Sequence, residues 1–266
     1  MRVWHIVMYS SGIGSWAAGK RVAKWHGAEN TKLLFMDTKM EDEDNYRFLH
    51  ESAENIGAEL VIIADGRDVF QVFKDVRFMG NSRIDPCSRI LKRELADKWI
   101  VENYTPETVR VHVGIDWTEE HRYTRMAERK LPWIYEAPLL AAPLLTKPEM
   151  LEQAKAEGLE PPRMYLYGFQ HANCGGFCIK AGQAQFKTLW ETWPGRYREM
   201  ERKEQEVYNH IGSVNPFIRT STGGEYTYYT MRQFREKFLE GPAQCDLFDW
   251  GGCGCFADEP TDRRTV

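Results

Sequence analysis

The chain has 266 residues, of which 42% are hydrophobic and 28% charged, with a formal net charge of -4. That balance is ordinary for a globular fold, and it excludes a global electrostatic case for nucleic-acid or membrane-surface binding while leaving a local basic face open. No stretch approaches the roughly 18 apolar residues of a membrane span, and the amino terminus enters a strand-like run with neither a basic segment nor a cleavage site. The expectation is a cytoplasmic protein with no membrane partner. In that compartment the six cysteines read as thiols or metal ligands rather than disulfides.

The first apolar run, Val3–Tyr9, ends in the small-residue turn Ser10-Ser11-Gly12-Ile13-Gly14-Ser15, and a helix is expected over Ser15–His26. Strand, glycine-serine loop, helix is the order in which a backbone cradles phosphate. Glycines allow close approach, loop and helix amides supply partial positive charge, and hydroxyls add donors. The turn fits neither G-x-x-x-x-G-K-[ST] nor G-x-G-x-x-G, which excludes a Walker A loop and a dinucleotide fingerprint. The plain alternative is an ordinary strand-to-helix turn.

Thr31–Met36 is a second apolar run, closed by Asp37-Thr38. Glu41–Ile56 carries Tyr46, Leu49, Ala53 and Ile56 at helical spacing. Glu59–Ala64 reads as a third strand, followed by Asp65-Gly66 and a short helix near Asp68–Phe73. Ser88–Asn103 reads as helix and Val109–Ile115 as a fourth strand. Short apolar strands alternating with helices predict an α/β fold, a mostly parallel Rossmann-like sheet with helices on both faces. Ligands of such sheets sit beyond the carboxyl ends of the strands. Ser10–Ser15, Asp37-Thr38, Asp65 and Asp116 all fall at those ends, so one shared site is predicted.

After residue 130 prolines break the chain into short pieces. The expected organisation is a nucleotide-binding core over 1–130, a helical, cysteine-containing extension over 131–256 that completes the domain, and a flexible tail over 257–266. Thr146 is a good helix cap with Pro148 in the first turn. Residues 180–210 read as one long helix or two, interrupted near Pro194-Gly195, and Tyr226–Thr230 reads as a short strand. Tyr226, Tyr228, Tyr229, Trp190 and Trp193 are expected in the core, with base stacking as the alternative.

Cys174-x3-Cys178 and Cys253-x-Cys255 each lie among glycines, with Cys245 and His171 nearby in sequence. Four thiolates from two such turns can close a zinc site or hold an iron–sulfur cluster, and soft sulfur ligands do not choose between them. Buried thiols and redox-active thiols remain as alternatives.

Ser10–Ser15 resembles the PP-loop of the N-type ATP pyrophosphatases, S-G-G-x-D-S, with Ser11 at the second position and Gly14 at the Asp position. Further segments are similar to the phosphoadenosine-phosphosulfate (PAPS) reductase-like branch of the adenine nucleotide alpha-hydrolase superfamily. They are Met36-Asp37-Thr38, Pro86-Cys87-Ser88-Arg89-Ile90-Leu91-Lys92, Gly114-Ile115-Asp116-Trp117-Thr118-Glu119 through Arg122, Leu145-Thr146-Lys147-Pro148-Glu149, Tyr167-Gly168, and Cys174 to Cys178. The Ser-Gly-Ile-Gly-Ser loop and Gly-Cys-Gly-Cys tail resemble phage-encoded members of the group.

The resemblance implies a HUP-type core and an enzyme using ATP with Mg²⁺ and releasing pyrophosphate, or using an adenylylated sulfonucleotide (PAPS or APS). Sulfur transfer or nucleic-acid or nucleoside modification would be the setting, as transferase or oxidoreductase, with the acceptor, nucleic acid as partner and homo-oligomerisation left open. It implies that Ser10, Ser11, Gly12, Ile13, Gly14, Ser15 and Gly114 line the phosphate site, and that Asp37 and Thr38 serve Mg²⁺ or the nucleoside. Lys92 and Arg89 would bring positive charge to the α-phosphate, and Glu119 and Arg122 would clamp substrate. Against these stand a solvated basic helix, a strand-end turn and a surface charge cluster. The reductases end in Glu-Cys-Gly-x-His, whereas this chain has Trp250-Gly251-Gly252-Cys253-Gly254-Cys255-Phe256. That departure leaves thiol-dependent sulfonucleotide reduction as an alternative, beside a non-catalytic binding module with a decayed loop.

Overall fold

The computed structural model describes residues 2–252. Cys253, Cys255 and the 257–266 segment lie outside the described residues. Five strands, β1 (Trp4–Tyr9), β2 (Thr31–Met36), β3 (Glu59–Ile63), β4 (Val109–His112) and β5 (Tyr135–Glu136), form one sheet in the order β3-β2-β1-β4-β5. Every neighbouring pair is parallel. β1 is central, and strand order reverses between it and β4. Such a reversal opens a crevice at the carboxyl ends of the strands.

Helices α1 (Ile13–His26), α2 (Glu43–Ile56) and α3 (Val69–Asp75) follow the first three strands. Next come α4 (Pro86–Ser88), a π-helical turn over Arg89–Glu94, α5 (Leu95–Asn103) and, after β4, α6 (Glu120–Arg129). Beyond β5 lie α7 (Lys147–Ala156), α8 (Arg163–Leu166), α9 (Gln183–Thr192) and α10 (Pro194–Ile211). An antiparallel hairpin, β6 (Ile218–Thr222) with β7 (Glu225–Tyr229), then α11 (Met231–Phe234) and a further π-helical turn over Arg235–Leu239 follow.

The alternation of side chains along β1 builds both faces. Val7 and Tyr9 join Trp16 and Val22 of α1, Phe48 of α2, and Met150 and Ala154 of α7 in one apolar cluster. Ile6 and Met8 join Ala96 and Ile100 of α5 and Met126 of α6 on the other. A third cluster, with Phe73, Phe186, Tyr197, Phe217 and Phe234, packs α3 with α9, α10 and α11. Residues after 130 therefore supply a strand of the sheet and part of its cover.

Several expectations shift for identifiable reasons. α2 begins at Glu43, because Asp42 caps it by accepting from the Asp44 amide at 3.1 Å. The helix expected over Ser88–Asn103 is divided by the π-helical turn. Pairing of β4 stops at His112, short of Ile115. Trp190, Trp193 and Tyr229 pack against the core, but Tyr226 and Tyr228 are 54% and 43% exposed on the hairpin. Among the described residues no helix is long and apolar enough to cross a membrane.

Candidate functional site

β1 delivers the chain to residue 10 and α1 begins at Ile13, so three residues make the turn. Ser11 adopts a left-handed φ of 54°, and its hydroxyl donates to the Ser10 carbonyl at 2.6 Å. That hydroxyl is spent on the turn. Gly12 stands at the N-cap of α1 without a side-chain cap, and the first turn of α1 holds no acidic residue. Ser15 Oγ donates to the Gly12 carbonyl at 2.8 Å and accepts from the Ser10 amide at 3.2 Å. The Ile13 amide donates to the Tyr165 hydroxyl at 3.2 Å. First-turn amides such as those of Gly14 and Ser15 have no intrahelical acceptor, and with the helix dipole they favour an anion.

The backbone beyond β4 passes close to this turn. A Cβ on Gly114 would lie 3.2 Å from both the Gly14 carbonyl oxygen and the Ser15 nitrogen, tighter than ordinary contact. One cleft is lined by Ser10, Gly12, Ile13, Gly14, Ser15 and Gly114, with Glu119 and Arg122 on its far wall. Glu119 and Arg122 form an ion pair one helical turn apart. Asp116 lines the same cleft, as its strand-end position predicts, and the structure adds Thr118, Lys147, Tyr165, His171 and Asn173. Asp116 accepts from the Thr118 amide at 2.9 Å, and Lys147 Nζ donates to the Gln170 carbonyl at 2.6 Å. Lys147 was within reach of sequence reasoning, since it stands between the cap Thr146 and Pro148. Tyr165 and Asn173 carry no sequence signal of their own.

Ser11 is buried in the turn and Asp65 pairs with Arg67 at 2.5 Å, so neither lines the cleft, and four further expected site residues lie elsewhere. Asp37 accepts from the Tyr46 hydroxyl at 2.7 Å and from the Lys39 amide at 2.8 Å, and it does not line the cleft. Burial and this bond to Asp37 push the Tyr46 hydroxyl well above its usual pKa. Arg89 is exposed and pairs with Glu94 at 2.6 Å, which is the solvated-helix alternative for that residue. Thr38 and Lys92 belong to a second, narrow cavity. Lys92 is only 4% exposed, so the solvated-helix alternative fails for it.

That second cavity is lined by Cys87, Cys174 and Cys178 together with Thr38, Asp85, Lys92 and Lys180. Cys87 was quoted in the resemblance but not assigned as a ligand. Its partner in that segment, Lys92, is five residues away. Ordinary helical period would set the two roughly 140° apart. The i→i+5 pattern of the π-helical turn instead brings both onto one cavity wall. Cys174 sits at a left-handed φ of 51°, and Gly175 and Gly176 follow with φ of 53° and 87°. A left-handed non-glycine costs energy and persists where surroundings impose it. Here the Cys174 amide donates to the Glu41 carboxylate at 2.7 Å. Glu41 Oε1 lies 3.9 Å from Lys92 Nζ, and Asp85 lies 3.5 Å from Lys180 Nζ. Cys245 is packed against the core, where burial raises its thiol pKa.

No protein-family model and no curated protein sequence matches the chain. Among solved structures, a phosphoadenylyl-sulfate (PAPS) reductase from Candida auris, in a phosphate complex, is similar at 15% identity with a TM-score of 0.44. The match covers 62% of this chain and 78% of that one. The NH3-dependent NAD synthetase from Campylobacter jejuni subsp. jejuni NCTC 11168, in complex with the nitrate ion, is similar at 14% identity with a TM-score of 0.38. There the match covers 81% of this chain and 89% of the other.

Proposed function

We propose that the cleft binds the phosphates of an adenine nucleotide and that the chain is an enzyme of the PAPS reductase-like PP-loop group. The observation that carries this reading is the uncapped N-terminus of α1, opening into a cleft with the Ser10 and Ser15 hydroxyls and the Arg122 and Lys147 cations. Gly114 lets the backbone beyond β4 pack directly against the Gly14 and Ser15 backbone at the cleft edge. The first-turn amides, the Ser10 hydroxyl and the two cations are suited to spread negative charge, while the Ser15 hydroxyl, donating to the Gly12 carbonyl at 2.8 Å, braces the turn. In adenylation an acceptor oxygen attacks the α-phosphorus, the bond to the bridging oxygen breaks, and pyrophosphate leaves. Loop amides, the Ser10 hydroxyl and the two cations would stabilise the charge that grows on the leaving group. Asp116 and Glu119 are the carboxylates on the cleft and would hold Mg²⁺, which supplies further charge neutralisation when bound. Asp37, held by Tyr46, takes no part.

The cysteine cavity favours a thiolate metal centre beside the nucleotide cleft, zinc or iron–sulfur, with Cys87 joining Cys174 and Cys178. Lys92 and Lys180 would offset the excess thiolate charge. Cys253 or Cys255 would complete four ligands.

Calorimetric titration of anaerobically purified protein with ATP and a non-hydrolysable analogue tests the nucleotide reading. Micromolar binding, weakened at least tenfold by Ser10→Ala with Ser15→Ala, is expected. Binding of ATP unaffected by that pair of changes, or no binding of ATP, PAPS or APS, overturns it. Binding without pyrophosphate release in the presence of any acceptor would leave the non-catalytic module. For the metal centre, Cys87→Ser should halve the metal content or more, and unchanged content overturns the role of Cys87.

A further inference from the structure

The geometry points to a second metal site, built from His5, His26 and His112 on the α1 face of the sheet, that takes one imidazole-favouring divalent cation such as Zn²⁺. His5 stands early in β1, His112 ends β4, and His26 is the last residue of α1. One ring nitrogen from each lies within 4.8 Å of the others. His5 Nδ1 and His112 Nε2 are 3.0 Å apart, close to the spacing of two nitrogens on one tetrahedral zinc. The site does not depend on the nucleotide reading. Counted along β1 from His5 to Ser10, it is about 16 Å from the phosphate loop.

Two features distinguish this cluster from a simple ring stack. First, His112 is only 1% exposed, and its other nitrogen, Nδ1, faces Glu136 Oε2 at 3.4 Å. Nδ1 is a buried nitrogen with no hydrogen-bond partner, and a carboxylate drawn in on that side would hold its proton and turn the Nε2 lone pair toward the ion, the arrangement that orients metal-bound histidines. Second, His5 is buried as well, so the two rings converge from neighbouring strands inside the protein rather than at its surface. His26 lies parallel to His5 with ring centroids 3.7 Å apart, and it is exposed. Its ring must swing out of the stack to aim a nitrogen at the shared point, which an exposed side chain does cheaply. A fourth position would face solvent beside His26 and take water. Arg110 is the opposing charge nearby, and Glu136 balances it. Three neutral imidazoles suit zinc, copper or nickel better than magnesium or calcium. The bound ion would tie the last turn of α1 to β1 and β4, at the end of the helix opposite the phosphate loop.

Zn²⁺ titration of the full chain, read by bound metal per chain and by Tm, tests this. Wild type should show a zinc-dependent rise in Tm and bind one equivalent more than His26→Ala, and Cys87→Ser should bind one equivalent more than Cys87→Ser combined with His26→Ala. His26→Ala should fold normally, because His26 is exposed, and should bind that equivalent at least tenfold more weakly. Glu136→Gln should weaken it about tenfold. Equal zinc binding and equal Tm rise in wild type and His26→Ala overturn the site. An equivalent lost in Cys87→Ser with no further loss when His26→Ala is added assigns the zinc to the cysteine cavity and also overturns it.

Discussion

The Cys174 backbone amide donates to the Glu41 carboxylate at 2.7 Å, joining residues 133 positions apart in sequence. Glu41 also stands 3.9 Å from the buried Lys92 ammonium, with their side chains 2% and 5% exposed. One carboxylate thus supports the left-handed cysteine turn and balances the cation on the same cavity wall. Removing one member of a buried ion pair typically costs 3–5 kcal/mol. Glu41→Ala should therefore lower stability by about 3 kcal/mol and reduce metal content, whereas Glu41→Gln, which keeps an acceptor for the Cys174 amide, should lose less of both. Urea denaturation with metal analysis on the same samples checks this.

Gly114→Ala should separate binding from folding. The added methyl would press on the Gly14 and Ser15 backbone at 3.2 Å, and the loop rather than the buried strand would yield. Nucleotide affinity should fall about tenfold with a stability loss of about 1 kcal/mol. Calorimetry and thermal melts measure the two separately, and a large fall in Tm with unchanged affinity would contradict the expectation.

Arg122→Ala should weaken nucleotide binding by about tenfold, a loss of roughly 1.4 kcal/mol. Its guanidinium is largely buried in the cleft wall, with 13% of the side chain exposed, so salt should screen it only modestly. Titrations at low and high ionic strength should give nearly the same ratio of wild-type to variant affinity.

Glu204 supplies a pH prediction. Burial within α10 pushes its carboxyl up to about 8. The Tyr208 hydroxyl lies 2.9 Å from both Glu204 Oε1 and the Asn215 carbonyl, and its single proton serves one of them. A protonated Glu204 donates to the Tyr208 oxygen, Tyr208 donates to Asn215, and the Met231 amide donates to Glu204 Oε2 at 2.9 Å. The folded state therefore holds a proton that the unfolded chain releases above its ordinary value of 4.5. Stability should decline as pH rises from about 4.5 through about 8, by at most roughly 1.4 kcal/mol per unit. Glu204→Gln, which can donate and accept in the same places, should flatten that decline. Denaturant midpoints measured across this range decide it.

The parallel sheet was legible because buried strands are continuous apolar runs. Thr31–Met36 matches β2 at both ends. β5, only Tyr135–Glu136, is too short to leave a pattern, and β6 is mostly polar. The turn proposed to bind phosphate was readable as one unit because its residues are consecutive. Tyr165 and Asn173 arrive from a segment that folds back across α1, and no local spacing announces such a return. Arg89 and Lys92 look alike in sequence, yet the irregular turn that carries them leaves one in solvent and buries the other.

The π-helical turn over Arg89–Glu94 makes the cysteine cavity depend on helix register more than on residue identity. It is a helix carrying one residue in excess, and such an insertion is the kind of change a lineage can gain or lose in a single event. Deleting one residue between Cys87 and Lys92 would leave the two four apart in an ordinary helix, about 40° around it and still on one face. Straightening the turn at full length would instead set them about 140° apart. Every residue type of the cavity would then survive while the wall they share came apart. Among relatives, a one-residue gap in this segment would therefore mark an ordinary helix that keeps the thiol cavity.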